Sequence, residues 1–284
     1  MEISGIWLCG WLAFRNVAAV AVVLVAACAA PPDSPSSSQF QSRQTQLLTA
    51  TFQKVTAESV QQRRIFFVGL AMYSEDWSEN DVVDLGQQLS RVATSFTVVP
   101  LIFSDSITSQ SDKYPIFSLD VLALTAATIA RHSRADDLVV VYVSTHGNSG
   151  ALAQKLGTHS LSPVTGFQLA EALVPLGDRK TIILLSACFS GSLIPNLRAP
   201  YRLIFTAARA DRSSFGCRAD ADHTLFGQAV LDAFARPEQS LEAIFSEVQR
   251  DVTRLERERH YAPPSEPQVY VGSEMASFYR EPIF

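Results

Sequence analysis

The sequence lacks the signatures of several common classes of enzyme and binding protein. Its 284 residues contain no H-E-x-x-H motif and no Cys-x-x-Cys pair, so we expect neither a metal site nor a cofactor. The G-x-S-x-G motif of serine hydrolases is also absent, which argues against a serine nucleophile. The formal net charge of -5 leaves no basic surplus for a phosphate backbone, so we expect no nucleic-acid partner.

Cysteine is scarce, and two of the four cysteines lie near the N-terminus. The apolar run "VAAVAVVLVAA" over residues 17–27 is short for a transmembrane helix but fits the core of a signal peptide. It follows Arg15 and ends at Cys28, and "VAAC" resembles a bacterial lipobox. We therefore predict a lipoprotein signal peptide over residues 1–27 and lipidation of Cys28. An uncleaved anchor helix, extended back through "IWLCGWLAF", is the alternative.

The segment after Cys28 is rich in Pro, Ser and Gln and poor in large apolar residues. Such a composition cannot bury enough surface to order itself, so we predict a disordered tether over residues 28–50. A lipidated Cys28 then places the protein at the bacterial cell envelope, anchored to a membrane, with its domain facing the periplasm or the exterior. Residues 51–284 are long and apolar enough to form one folded domain.

Strand-like and helix-like patterns alternate through this domain. The apolar runs "RIFFVGLAMY", "FTVVPLIF", "DLVVVYVST", "TIILLSA" and "YRLIFTAA" have the length of strands, and amphipathic segments lie between most of them. Runs that are apolar on both faces indicate a sheet buried on both sides. The sequence therefore predicts an α/β fold, a three-layer α/β/α sandwich with a mostly parallel sheet.

Two of these strands end in reactive side chains, His146 in "STHGNSG" and Cys188 in "SACFSGS". Functional groups collect at the carboxyl ends of parallel strands, so the two would meet if their strands are neighbours. An imidazole beside a thiol favours the thiolate, which attacks carbonyl carbon. Backbone N–H groups of Gly147 and Cys188 are candidates for an oxyanion hole. Gly147 and Gly191 leave room beside these groups for a substrate backbone.

These two motifs, followed by "FTAARADRSSFGC" over residues 205–217, resemble the legumain family of cysteine peptidases in the caspase-like clan. The resemblance covers about residues 64–230. It implies a caspase-like peptidase domain, a His146–Cys188 dyad, no metal, and endopeptidase cleavage of peptide or protein substrates through a thioester. The same dyad would also support a transpeptidase or ligase. The sequence gives no indication of oligomeric state.

The resemblance also assigns a substrate pocket, to which Ser213 and Ser214 belong by analogy. Legumain recognises Asn with an acid two residues before the nucleophile, where this chain has Ser186, and with further charged residues that are missing here. We therefore predict peptidase activity without a strict Asn preference. Three nearby residues would supply a different charge pattern to the pocket or form structural ion pairs, and we favour ion pairs: Arg209, Asp211 and Arg212.

A disulfide is the main rival to catalysis. Once the N-terminal segment is removed and Cys28 is lipidated, Cys188 and Cys217 are the remaining thiols, in a compartment where disulfides persist. A Cys188–Cys217 bridge would give an inactive scaffold or a redox-controlled enzyme. The alternative role of Cys217 is a packed thiol.

The histidines other than His146 are predicted to lie at the surface or in loops, namely His132, His159, His223 and His260.

Overall fold

The computed structural model of the chain describes residues 37–57, 62–106, 113–236 and 239–283. The predicted signal peptide and the predicted lipidation site Cys28 lie outside these ranges. Within the described ranges, no helix combines the length and the apolar character needed to cross a membrane.

Helices and strands alternate along most of the chain. The helices are α1 (Ser37–Thr56), α2 (Asp76–Val92), α3 (Leu119–His132), α4 (Gly166–Ala172), α5 (Ile194–Leu197), α6 (Leu225–Phe234), α7 (Leu241–Glu258) and α8 (Ala276–Arg280). The long strands are β1 (Arg63–Ala71), β2 (Phe96–Ser104), β3 (Leu138–Ser144), β9 (Thr181–Ser186), β10 (Arg202–Thr206) and β11 (Gln268–Val271). Five two-residue strands lie between β3 and α4: β4 (Gly147–Asn148), β5 (Ala151–Leu152), β6 (Lys155–Leu156), β7 (His159–Ser160) and β8 (Val164–Thr165). Single 3₁₀ turns form at Val174–Leu176, Ser190–Leu193 and Ser273–Met275.

The six long strands form one sheet in the order β11-β10-β9-β3-β1-β2. All neighbouring pairs are parallel except β10 and β11, which are antiparallel. One apolar core packs α2, α6 and α7 against one face, and a second packs α1, α3 and α4 against the other. Burial on both faces explains why the strands read as continuous apolar runs. The predicted three-layer α/β/α sandwich is confirmed.

Helix α1 differs from the sequence-based prediction. From Ser37 onward the chain is helical, so a disordered tether over the whole of 28–50 is wrong for this part, while 28–36 lie outside the described residues. The helix packs Val55 and Leu48 into the core that it shares with α3. Gln44 also accepts a hydrogen bond from the Ile116 N–H, with 2.9 Å between Oε1 and N. These contacts supply the burial that the composition of the segment did not indicate.

The sheet brings together the two strands with reactive ends. β3 and β9 are direct neighbours, and Ser144 lies opposite Ser186 at their carboxyl ends. His146 and Cys188 each follow two residues later. The condition on which the predicted dyad depended, that these strands be neighbours, is therefore met.

Candidate active site

Cys188 lies on a sharp turn immediately after β9. The next residue, Phe189, has left-handed backbone angles of φ 56° and ψ 16°, which side chains other than Gly rarely adopt. Its N–H donates to the Arg212 carbonyl at 2.7 Å, and its carbonyl accepts from Ser192 Oγ at 2.6 Å. These bonds hold the unusual turn in place, and the turn carries the chain away from the sheet at Cys188, two residues after β9 ends.

The Cys188 sulfur has three polar contacts with Ser214, one of them to its carbonyl oxygen at 3.5 Å. It accepts from the Ser214 N–H at 3.3 Å and from Ser214 Oγ at 3.6 Å. The pKa of Cys188 is lowered to about 5, first by a hydrogen bond from the Cys217 thiol, against burial, and then by the Ser214 bonds and the charge of His146. The same thiol-thiol hydrogen bond raises the pKa of Cys217. Cys188 is therefore poised to ionise, and Cys217 to stay protonated.

Both of these thiols are free in the structure. The Cys188–Cys217 disulfide that would have made the chain an inactive scaffold is therefore not formed here. Cys217 is half-buried, and the description of it as merely a packed thiol misses its contact with Cys188.

His146 is held between aromatic rings. Its ring meets that of Tyr73 edge-on, with 4.4 Å between centroids, and that of Trp77 at 5.2 Å. Burial lowers the pKa of His146, while Cys188 and Glu75 act to raise it. The segment that follows β1 thus packs two aromatic rings against the imidazole. Sequence reasoning did not assign Tyr73 or Trp77 to the site.

Two glycines beside the dyad are required for close packing within the protein. A Cβ at Gly147 would lie 2.4 Å from the Cys188 carbonyl oxygen. A Cβ at Gly191 would lie 2.8 Å from the Ala210 nitrogen and 2.9 Å from the Ala208 oxygen. The expectation that these glycines leave room for a substrate backbone is wrong, because the chain's own backbone occupies that space.

The three predicted pocket serines lie in different environments. Ser213 is exposed, and Ser214 is half-buried and donates a hydrogen bond to Cys188 Sγ. Ser186 is only 1% exposed and shares a 2.8 Å hydrogen bond with Thr224 Oγ1. In this structure Ser213 and Ser214 are therefore available to a substrate, whereas Ser186 lies beneath the surface.

The charged residues after β10 form ion pairs with one another. Arg209 Nε lies 2.6 Å from Asp211 Oδ1, and Arg212 Nη1 lies 3.3 Å from Asp211 Oδ2. Glu266 joins the cluster through Arg209 and Arg212. The structural ion pairs favoured by the sequence are confirmed.

His223 lies in the loop before α6, as the sequence predicted, but its pairing with two carboxylates was not foreseen. Its side chain is 14% exposed and bridges Asp81 at 3.2 Å and Asp84 at 3.3 Å. These two carboxylates raise its pKa, with the hydrogen bond to Asp81 the largest contribution, despite its partial burial. The buried carboxylate of Asp81 was likewise missed, although its place on the apolar face of α2, four residues after Trp77, was visible in the sequence.

Among the described residues, no group of three or more His, Cys, Asp or Glu side chains is arranged to hold a metal ion. The groups that the structure places at the site are the Cys188 thiol, the His146 imidazole and the hydrogen-bond donors of Ser214. All of these groups lie at the carboxyl ends of β3 and β9 or in the segment 213–217.

The model of the Peptidase C13 family matches residues 106–277, well over half of the chain. The chain belongs to the Peptidase C13 family. This membership confirms the legumain-like cysteine peptidase that the sequence predicted. The match includes both His146 and Cys188 within its bounds.

The chain was also compared with curated proteins and with solved structures. No curated protein matches this C13 peptidase significantly. Among solved structures, the crystal structure of caspase-1 from Spodoptera frugiperda aligns with a TM-score of 0.49 and 14% identity, over 74% of this chain and 86% of that chain.

Proposed function

We propose that this C13 peptidase hydrolyses peptide bonds in peptides or proteins with Cys188 as nucleophile and His146 as acid and base. The observation that carries the proposal is geometric: His146 and Cys188 each lie two residues beyond the paired Ser144 and Ser186, at the carboxyl ends of neighbouring strands. A thiol with an ordinary pKa near 8.5 is only a few per cent ionised at neutral pH. The hydrogen bonds to Cys188 and the charge of His146 lower its pKa against burial, which favours the reactive thiolate.

The reaction follows from these two groups. Starting from the Cys188 thiolate and the His146 imidazolium, the thiolate attacks the carbonyl carbon of the scissile bond, the C–N bond breaks, and the amine leaves with the imidazolium proton. Water, deprotonated by His146, then attacks the thioester, which releases the carboxylic acid and restores the enzyme. The backbone N–H groups of Cys188 and Gly147 are our candidates for stabilising the oxyanion in both steps.

Replacement of either dyad residue tests the proposal. Cys188→Ala and His146→Ala should each remove nearly all turnover of a cleaved peptide, and the double variant should be little worse, because nucleophile and base act as one unit. Turnover is measured on the full-length chain, with thermal unfolding to confirm that each variant is folded. His159→Ala, which removes an exposed imidazole from β7, is the matched control and should retain turnover. Wild-type turnover by Cys188→Ala would end the peptidase assignment of this residue.

The same assay distinguishes hydrolysis from transfer. An amine nucleophile added to the cleavage reaction competes with water for the thioester. We expect the free acid to be the main product. A product that consists mainly of the amine adduct would instead identify a transpeptidase or ligase on the same dyad.

A further inference from the structure

The side chain of Asp81 is a fully buried carboxylate with an unusual set of donors. It lies on α2 and is 0% exposed. It receives hydrogen bonds from Ser144 Oγ at 2.8 Å, Thr224 Oγ1 at 2.8 Å, the Thr224 N–H at 3.2 Å and Ser186 Oγ at 3.4 Å. His223 Nδ1 lies 3.2 Å from the same carboxylate. A buried charge is tolerated only when it is paired and hydrogen-bonded in this way.

The donors come from the three parts of the chain that carry the site. Ser144 and Ser186 are opposite one another at the ends of β3 and β9, two residues before His146 and Cys188. Thr224 is the N-cap of α6, the helix that follows the segment 213–217 beneath the nucleophile. One carboxylate therefore joins both strand ends and the start of α6, the helix that follows the segment 213–217.

Neighbouring residues pack closely around the Asp81 carboxylate. Ser78, three residues before Asp81 on α2, donates to the Ser144 carbonyl at 2.6 Å. A Cβ at Gly227, on α6, would lie 2.0 Å from Asp81 Oδ1, so a glycine is needed where α6 meets α2. The close fit indicates that α2, α6 and the strand ends have a single arrangement with Asp81 at its centre.

We propose that Asp81 is a positioning residue for the peptidase site, acting through Ser144, Ser186 and Thr224 to fix His146, Cys188 and the segment 213–217 relative to one another. The inference rests on the proposed dyad. Loss of the carboxylate leaves several buried donors without an acceptor, so the strand ends and α6 must shift to satisfy them. A displacement of about 1 Å in a reacting group costs roughly 10²-fold in rate.

The test compares Asp81→Asn with Asp84→Asn. Asp84 lies on the same helix and bonds the other nitrogen of His223, but its side chain is 45% exposed. Turnover of the full-length chain is expressed per active site, titrated with a thiol-directed irreversible inhibitor. We expect Asp81→Asn to lower kcat about 10–100-fold, with KM changed less than about threefold, and Asp84→Asn to stay within about twofold of wild type.

A second readout separates positioning from stability. The rate at which iodoacetamide alkylates Cys188, identified by peptide mapping, is measured against pH in the folded protein. We expect its inflection to move to higher pH in Asp81→Asn, because the donors around the thiolate are displaced, and to stay in place in Asp84→Asn. A purely structural residue would change the amount of folded protein and leave the inflection unchanged.

The outcomes distinguish this inference from the proposed function. A wild-type chain that is alkylated with a low inflection but cleaves no peptide counts against the proposed function alone. Wild-type kcat per titrated site together with an unmoved inflection in Asp81→Asn overturns the positioning role. If Asp81→Asn does not fold, Ser186→Ala, which removes one donor and keeps the carboxylate, should lower kcat about 3–10-fold, and wild-type kcat in that variant overturns the role.

Discussion

At the scale of single residues, the acidity of the Cys188 thiol depends more on Cys217 and Ser214 than on His146, its partner in the proposed dyad. The Cys217 hydrogen bond is the largest influence that lowers the pKa of Cys188, and the charge of His146 is the smallest. Ser214 contributes through both its side chain and its backbone N–H. The segment 213–217 thus stabilises the thiolate directly, in addition to its inferred place beside the substrate.

Replacement of Cys217 should therefore change the pH dependence of the enzyme. Without the donor in Cys217→Ala, the thiolate is less stable and the pKa of Cys188 rises from about 5. Because the thiolate is the reactive form, the acidic limb of the kcat/KM profile should move to higher pH. Cys217→Ser, which keeps a donor, should lie closer to wild type. An acidic limb that is the same in wild type and Cys217→Ala would show that this bond does not control ionisation.

His146 and Cys188 could be found from sequence because each directly follows an apolar strand. Asp81 and His223 could not be linked in the same way, because 142 residues separate them and only the packing of α2 against α6 brings them together. The sequence signal for Asp81 was an acidic residue at a position on the apolar face of α2. Its significance depended on which polar groups faced it, and that is a property of the tertiary structure.

At the scale of whole elements, the long strands and amphipathic helices follow from their periodicity, whereas two regions do not. The strands β4 to β8 contain two residues each, too few for an alternating pattern to be recognised. Helix α1 begins in a segment whose Ser and Gln content is typical of a linker. Its order comes from a few contacts with α3 and β2 rather than from its composition.

Substitutions in α1 should reveal whether it belongs to the folded domain. Leu48→Ala removes apolar contacts with the core shared with α3 and should lower the free energy of unfolding by about 1–2 kcal/mol. Gln46→Ala, at an exposed position of the same helix, should change it by less than about 0.5 kcal/mol. Denaturant unfolding of both variants is the measurement. If Leu48→Ala is as stable as wild type, α1 does not contribute to the folded domain, and the prediction of a tether applies to it.

At the scale of the whole molecule, the layered architecture was predictable because strands apolar on both faces require cover on both faces. The order of strands within the sheet was not, and the dyad depended on the adjacency of β3 and β9. What the enzyme recognises is also decided at this scale, since the residues around Cys188 come from several elements. Ser214, which bonds to Cys188, is small and uncharged, and so is its exposed neighbour Ser213.

We expect the peptidase to cleave without a strict preference for Asn. Strong discrimination needs a site that hydrogen-bonds one particular side chain, and Ser186 is engaged with Thr224 inside the protein. Cleavage of a diverse peptide library, with Cys188→Ala as control, measures the preference. Products that end almost solely in Asn would contradict this expectation and point to recognition by other residues.

We also propose that the chain is held at a membrane by lipid on Cys28. Each buried methylene contributes about 0.8 kcal/mol, so two or more acyl chains give stable attachment without a spanning helix. Cys28→Ser should abolish labelling by a fatty-acid analogue and leave an uncleaved precursor. Mass spectrometry that finds Met1 on the mature wild-type protein would refute lipidation at this site.

The contact of α1 with the edge strand β2 also affects how copies of the protein behave towards one another. An unpaired strand edge invites strands from other chains and so promotes aggregation. Here Pro100, in the middle of β2, has no N–H to offer, and its carbonyl already accepts from Lys54 Nζ of α1 at 3.3 Å. This edge of the sheet therefore resists intermolecular strand pairing. That resistance disfavours aggregation through β2 where the local concentration of the protein is high.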